Sequence, residues 1–217
     1  MKVKLFSIAV MLLSVAYFAG AQELKDISLP VPKTDGGKTL MQALKERQTS
    51  RAYSTKKLPL QLISDLLWAA DGINRAKSGK RTAPSTMNWQ EIDIYVVLEE
   101  GTFLFDAKEN YLKAITNKDL RKMTGTQDFV FTAPVNLVFV ADTTKMKGTS
   151  PEDQLLYAGA DTGFISQNIY LFCASEGLAT VVRGLIGDKK ALAEALKLSE
   201  DKKIILAQTV GYPDIRN

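Results

Sequence analysis

The chain has 217 residues, 46% of them hydrophobic and 24% charged, which is the composition of an ordinary folded protein and not of a disordered, collagen-like or disulfide-rich one. It holds no histidine and one cysteine, Cys173. Ser-His-Asp and Cys-His catalysis, His-based zinc sites, a histidine pH switch, an internal disulfide and a Cys-rich metal cluster are therefore excluded.

Residues 1–21 have the pattern of an export signal: Lys2 and Lys4, an apolar run over residues 5–18 broken only by Ser7 and Ser14, then Ala19-Gly20-Ala21. This predicts a cleaved signal peptide and an exported, periplasmic protein. The apolar run falls short of the roughly 20 residues that span a bilayer, so no stable membrane span is expected after cleavage. Lys and Arg nearly balance Asp and Glu once Lys2 and Lys4 are gone, which argues against a nucleic-acid partner.

Residues 22–38 are polar and broken by Pro30, Pro32, Gly36 and Gly37, an extended leader ahead of a domain over 39–217. Thr39 can cap a first helix carrying Leu40, Met41 and Leu44. A second helix is predicted over about 59–70, with Pro59 in its first turn, a buried stripe of Leu62, Ile63, Leu66, Leu67 and Ala70, and a stop at Asp71-Gly72. Residues 74–86 read as a loop. A strand over 92–98 turns at 99–102 and returns as a hairpin over 103–105. A short helix is expected over 117–123 and a strongly apolar strand over 135–141. The longest helix covers about 151–176. Leu155, Leu156, Phe164, Ile165, Ile169 and Phe172 lie on more than one of its faces, so it is expected to be central and buried, ending at Gly177. A strand over 179–182, a helix over 189–197 and a strand over 203–210 complete the chain. Helices and strands mix without a regular βα repeat, which points to α+β with a sheet covered by helices.

Some features mislead. Gly37-Lys38-Thr39 ends like a phosphate-binding P-loop, but the position that needs the first glycine is Pro32 and no strand precedes it. Lys77, Lys80 and Arg81 read as a solvated loop cluster. Cys173, inside an apolar helix, reads as a small core residue. No paired Asp/Glu spacing suggests a metal or glycosidase site.

The informative segment is Arg47-Gln48-Thr49-Ser50-Arg51-Ala52-Tyr53. Two arginines four apart with hydroxyls between them suit a phosphate, although alone they describe a surface pair better. Further motifs follow in order: Leu62 to Ala70 reading Leu-Ile-Ser-Asp-Leu-Leu-Trp-Ala-Ala, Arg81-Thr82-Ala83-Pro84-Ser85-Thr86-Met87-Asn88 before Tyr95-Val96-Val97, Gly177-Leu178-Ala179-Thr180, and Gly211-Tyr212-Pro213. Over about residues 45–213 the sequence resembles the nitroreductase-like flavoprotein family, nearest to its branch of thiazoline/oxazoline oxidase-type dehydrogenases.

The resemblance implies a nitroreductase-like α+β fold with a central, mostly antiparallel sheet covered by helices. It also implies an intertwined homodimer that holds FMN non-covalently at its interface. Arg47, Thr49 and Arg51 would hold the phosphate and ribityl chain, with Gln48 near the pyrimidine edge. Pro84, Ser85, Thr86 and Asn88 would reach the flavin from the partner subunit. Val182, Arg183 and Gly184 would lie against flavin N5 and O4 and donate backbone N–H groups, Arg183 adding positive charge there. Arg216 is what remains of a basic C-terminal tail that helps hold the phosphate in relatives. Gln48 and Thr49 stand where the family has arginine and serine. The implied activity is hydride transfer through flavin N5 to or from a small organic substrate, with NAD(P)H or another electron donor. An azoline-oxidase-like dehydrogenase and a non-catalytic flavin-binding dimer are the alternatives. Flavin chemistry needs no histidine, thiol or metal, so no catalytic side chain is expected beyond the cofactor.

Overall fold

The computed structural model describes residues 24–214. The signal-peptide expectation for residues 1–21 and the role expected of Arg216 lie outside them.

The two most apolar strands form the middle of the sheet. β4 (Ile92–Leu98) and β7 (Val135–Asp142) pair antiparallel, Tyr95 opposite Val138, and both are covered on both faces. Side chains alternate along a strand. Ile92, Ile94, Val96, Leu137 and Phe139 therefore enter one core, while Tyr95, Val97, Val138 and Val140 enter the other. The first core is closed by α2 (Leu60–Asp71) and α4 (Pro151–Glu176), the second by α5 (Lys189–Ala195) through Leu192. Flanking strands extend the sheet: β1 (Ile27–Ser28), β5 (Gly101–Asp106), β6 (Tyr111–Thr116), β8 (Ala179–Arg183) and β9 (Lys202–Gly211). The order is β1-β6-β5-β4-β7-β9-β8, and every pairing is antiparallel. The expected α+β fold is the observed one, with β8 as an edge.

Local chemistry sets the helix ends. Thr39 caps α1 (Leu40–Glu46) by accepting from the Gln42 N–H. Ser150 caps α4 through the Asp153 N–H, Pro151 fills its first turn, and Gly177 ends it in the left-handed region at φ 69°. Lys38 binds Glu46 and the Ala174 carbonyl, so the P-loop likeness has no structural counterpart.

Four expectations change. Residues 24–38 are extended but docked: β1 pairs with β6, Leu29 is buried, and the Pro30 carbonyl accepts from the Ser64 hydroxyl. Residues 74–86 contain a small hairpin of β2 (Ile73–Arg75) and β3 (Lys80–Arg81). The helix expected at 117–123 is a single 3-10 turn at Arg121–Thr124, because the Asp119 carboxylate takes the Arg121 N–H and a local side-chain bond of this kind competes with a helix. A short α3 (Phe129–Thr132) follows instead. Finally, α4 buries one face only. Ala158, Ile165, Ile169 and Cys173 face the core, while Leu155, Leu156 and Phe164 are exposed, as are Leu40, Met41 and Leu44 of α1.

Candidate functional site

The segment after α1 runs along the open edge of β8. Ser50 donates its N–H to the Thr180 carbonyl at 3.0 Å, Tyr53 donates its hydroxyl to the Ser50 carbonyl at 2.7 Å, and Tyr53 forms a bridge with Pro213. The clasp is Tyr170 of α4. Its hydroxyl accepts the Val182 N–H at 3.0 Å and bonds the Thr49 hydroxyl at 3.2 Å. The Arg47 guanidinium lies over its ring, 5.4 Å from the centroid. Arg47, Thr49 and Val182, far apart in sequence, are thus brought together. Arg51 is exposed on the same segment. Gln48 is exposed and lines a cavity of about 470 Å³ with Lys38, Lys45, Ser50, Tyr170 and Pro213.

Backbone polar groups of a strand point alternately to its two edges. Thr180 and Val182 use theirs on the outer edge, so the next group aimed outward is the N–H of Gly184. Gly184 is exposed, and a Cβ there would meet only the Leu206 side chain, at 3.6 Å. A flat ligand can therefore approach that backbone closely. Two expectations are corrected here. The Val182 N–H is already taken by Tyr170, and the Arg183 guanidinium is turned into the protein, 5% exposed. It donates to the Thr124 carbonyl and hydroxyl, the Asn136 side-chain carbonyl and, from two of its nitrogens, the Thr209 hydroxyl. Among the described residues no carboxylate lies within ion-pair distance of it, and burial lowers its pKa to about 10. Gly125 makes room for this group: a Cβ there would stand 2.1 Å from Arg183 Nη1. Beyond the strand a second cavity, about 660 Å³, is lined by Met123, Gln127, Val130, Phe131, Gly187 and Asp188. Both volumes lie within the roughly 300–1,000 Å³ of small-molecule sites.

The loop of Pro84, Ser85, Thr86 and Asn88 sits elsewhere. Asp161 of α4 accepts the Thr86 N–H at 2.7 Å and its hydroxyl at 3.2 Å, and the Ser85 hydroxyl accepts the Gln90 N–H. Met87, Asn88 and Gln90 are left-handed, with φ of 51°, 56° and 49°. Such backbone costs of order 1–3 kcal/mol per residue and persists where bonds around it over-determine it. Pro84, Met87 and Asn88 point to solvent. Asp161 precedes Tyr170 by nine residues of α4, about 13 Å along the axis. Within one chain the loop and the Arg47 segment are therefore not brought together.

Sequence reasoning missed Tyr170 and Asp161. An aromatic on an apolar helix reads as core; an acid at a core-facing helix position was the available signal.

The nitroreductase family profile matches residues 44–212. A solved structure of a proposed nitroreductase from Ralstonia eutropha is 42% identical, with a TM-score of 0.83, covering 88% of this chain and 90% of that one. A proposed nitroreductase of Methanocaldococcus jannaschii is 28% identical over 171 residues, 74% of this chain and 85% of its own length. The fold alone recurs in the microcin synthetase complex of E. coli, at 17% identity and a TM-score of 0.66, over 99% of this chain and 85% of the matched one. With its profile matched from the end of α1 to the last strand, and the fold of its relatives around that edge, the chain belongs to the nitroreductase family of oxidoreductases.

Proposed function

We propose that this protein is an FMN-dependent oxidoreductase, working as a homodimer, that moves a hydride between the flavin and a small organic substrate. The observation that carries the reading is the Tyr170 clasp, which sets Arg47 and Thr49 beside the open edge leading to Gly184. These residues fit the group. Two cations, Arg47 and Arg51, and the Thr49 hydroxyl suit an anionic phosphate and its polyol chain. A glycine with a free outward N–H suits the edge of a flat ring. Because Tyr170 occupies the Val182 N–H and Arg183 faces inward, Gly184 is the donor assigned to N5 and O4. When bound, the flavin supplies the hydride chemistry, and the protein supplies placement and electrostatics. Arg216 would add a further cation.

The homodimer is supported by the unpartnered apolar faces of α1 and α4 and by the outward-facing loop of Pro84, Ser85, Thr86 and Asn88, which is too far along α4 to serve its own Arg47 segment. In a second copy that loop would reach the partner's flavin. The pattern of residues 1–21 supports export to the periplasm. NAD(P)H is a cytoplasmic molecule, so the donor there would be a reduced protein, a quinol or the substrate itself, as in an azoline-oxidase-like dehydrogenase.

The test is purification of the mature protein with cofactor identification and light scattering. The wild type should be yellow and twice the monomer mass. An Arg47→Ala/Arg51→Ala variant loses two charged contacts of roughly 1.5–3 kcal/mol each and should emerge folded and colourless. Stoichiometric FMN in that variant overturns the phosphate assignment, a flavin-loaded monomer overturns the dimer, and a flavin that is reduced yet oxidises nothing leaves a binding protein without turnover.

A further inference from the structure

Where the Thr86–Asn88 loop enters β4, two acids meet out of water. Glu91 is 0% exposed, and neither of its carboxyl oxygens receives a hydrogen bond. Asp161, 2% exposed, faces it from α4 and takes a bond from Thr86 on each of its oxygens. The docking is continuous: the Trp89 ring packs edge-on against Tyr157, one turn before Asp161.

Two adjacent carboxylates cannot both stay ionised in a low-dielectric interior without a cation between them. Lys145 is the cation near enough to act on Glu91, and its Nζ is spent on the Gln90 carbonyl at 2.9 Å and on Asp93 at 3.7 Å. One acid must then carry a proton. Asp161 has a donor on each oxygen, the environment of a charged carboxylate, whereas Glu91 has no donor from any other described residue and only its own backbone N–H nearby, the environment of a neutral acid.

We propose that Glu91 and Asp161 form a shared-proton pair that positions the Thr86–Asn88 loop, Glu91 holding the proton and Asp161 holding the loop. The assignment agrees with the electrostatics: burial, opposed by the residue's own backbone N–H and by Lys145 and reinforced by the Asp161 charge and a carboxyl–carboxyl hydrogen bond to Asp161, pushes Glu91 up to about 7. Loss of the proton places two negative charges side by side. The repulsion is relieved by moving Glu91, and the strained loop continuous with it, away from α4. Of the other anchors, the Ser85 hydroxyl on the Gln90 N–H is neutral throughout, whereas Arg81, which holds the Gln90 side chain, is paired with Asp71, whose pKa burial also raises to about 7; the Glu91→Gln variant keeps Asp71 and so separates the two groups. The consequence for a bound flavin rests on the function proposed above; the shared proton does not.

The experiment uses the full mature protein. Infrared difference spectra between wild type and Glu91→Gln, just below neutral pH, should show the C=O stretch of one protonated carboxylic acid, titrating near pH 7 in the wild type. Asp161→Asn removes the charge that holds the proton on Glu91, so the same band should titrate at lower pH. In parallel, the exchange protection of the Thr86 amide should fall about tenfold as the pH rises from one unit below that value to one unit above. It should stay nearly constant in Glu91→Gln, which cannot ionise. No band lost in Glu91→Gln, a band unmoved in Asp161→Asn, or one Thr86 profile in wild type and Glu91→Gln would overturn the pair. If Glu91→Gln does not fold, the difference spectrum between wild type and Asp161→Asn decides, because the Asp71 carboxyl, also protonated near neutral pH, is common to both and cancels. Absence of FMN alongside a titrating band would fell the functional reading and leave the pair standing.

Discussion

Tyr170→Phe removes one oxygen and keeps the ring. The structure says what that oxygen holds: the Val182 N–H at 3.0 Å and the Thr49 hydroxyl at 3.2 Å. The Val182 group is half-buried and among the described residues has no second partner on that edge, so its loss falls at the low end of the 1–3 kcal/mol for an orphaned donor. Thr49 is exposed and water replaces its bond, for about 0.5 kcal/mol. The sum is about 1–2 kcal/mol, or a fall in melting temperature of about 2–8 °C for a domain of this size. The Arg47 contact with the ring survives, so the change should reach the flavin only through loosening of the Arg47–Thr49 segment. About 1 kcal/mol of lost preorganisation corresponds to roughly fivefold weaker FMN binding. Urea unfolding and a flavin fluorescence titration measure both. Thr49→Val in the same assays closes a double-mutant cycle, and the coupling between the two positions should be at least about 0.5 kcal/mol. If Tyr170→Phe matches the wild type in stability and in FMN affinity, Tyr170 is a core aromatic and the clasp is an accident of packing.

Arg183→Met strips the two bonds by which Arg183 fixes Thr124 to β8 and leaves the Thr124 carbonyl without that donor. Unfolding in urea should show a loss of about 2–4 kcal/mol, partly recovered in Arg183→Lys; a methionine variant as stable as the parent would show that the guanidinium clamps nothing. Asp71 is 7% exposed, and burial holds its pKa at about 7 despite Arg81 at 3.3 Å. Its folded value exceeds its unfolded value. The stability it contributes is therefore complete below about pH 4 and is lost as the pH rises through about 7. Asp71→Asn removes this slope, so the stability difference between variant and parent should shift by on the order of 2–4 kcal/mol from pH 4 to 8, and parallel profiles would sink the assignment.

The parts legible in the sequence are those whose physics is local or one-dimensional. β4 and β7 are apolar on both faces and flanked by turn residues, and α4 carries Ser150 and Pro151 at one end and Gly177 at the other. What escaped depends on tertiary partners. β6 mixes Tyr111, Lys113 and Thr116 and becomes a strand because β5 and β1 lie beside it. The site divides the same way. The motifs gave Arg47, Thr49 and the residues after β8, but not the tyrosine that joins them. Arg183 is set against the flavin by the resemblance, together with Val182 and Gly184. Its strand parity, shared with buried Ala179 and Val181, is the signal that it faces inward. The Glu91–Asp161 pair has no sequence signature: Asp161 stands out as an acid at a core-facing helix position, but nothing in the sequence points to its partner 70 residues away.

The expectation that α4 is buried on more than one face fails within the single chain, and α1 exposes apolar residues as well. One chain buries only part of the apolar surface these helices carry; in the homodimer proposed above, a second copy would cover the rest. Leu155 and Leu156 near the start of α4 and Phe164 farther along it are exposed, and between them lie Gly159 and Gly163, where an added Cβ would meet nothing within 4 Å. Small residues between large ones on a helix leave a groove into which another helix can settle. Leu40, Met41 and Leu44 supply apolar surface of the same kind from α1. Full burial of side chains of this type contributes roughly 1.5–3 kcal/mol each, so the six together reach the 4–15 kcal/mol that association costs in lost freedom. In the homodimer proposed above, the face that α4 leaves open and the loop it holds at Asp161 answer one requirement. The helix that separates the loop from its own Arg47 segment is the helix that would carry it to the segment of the other copy.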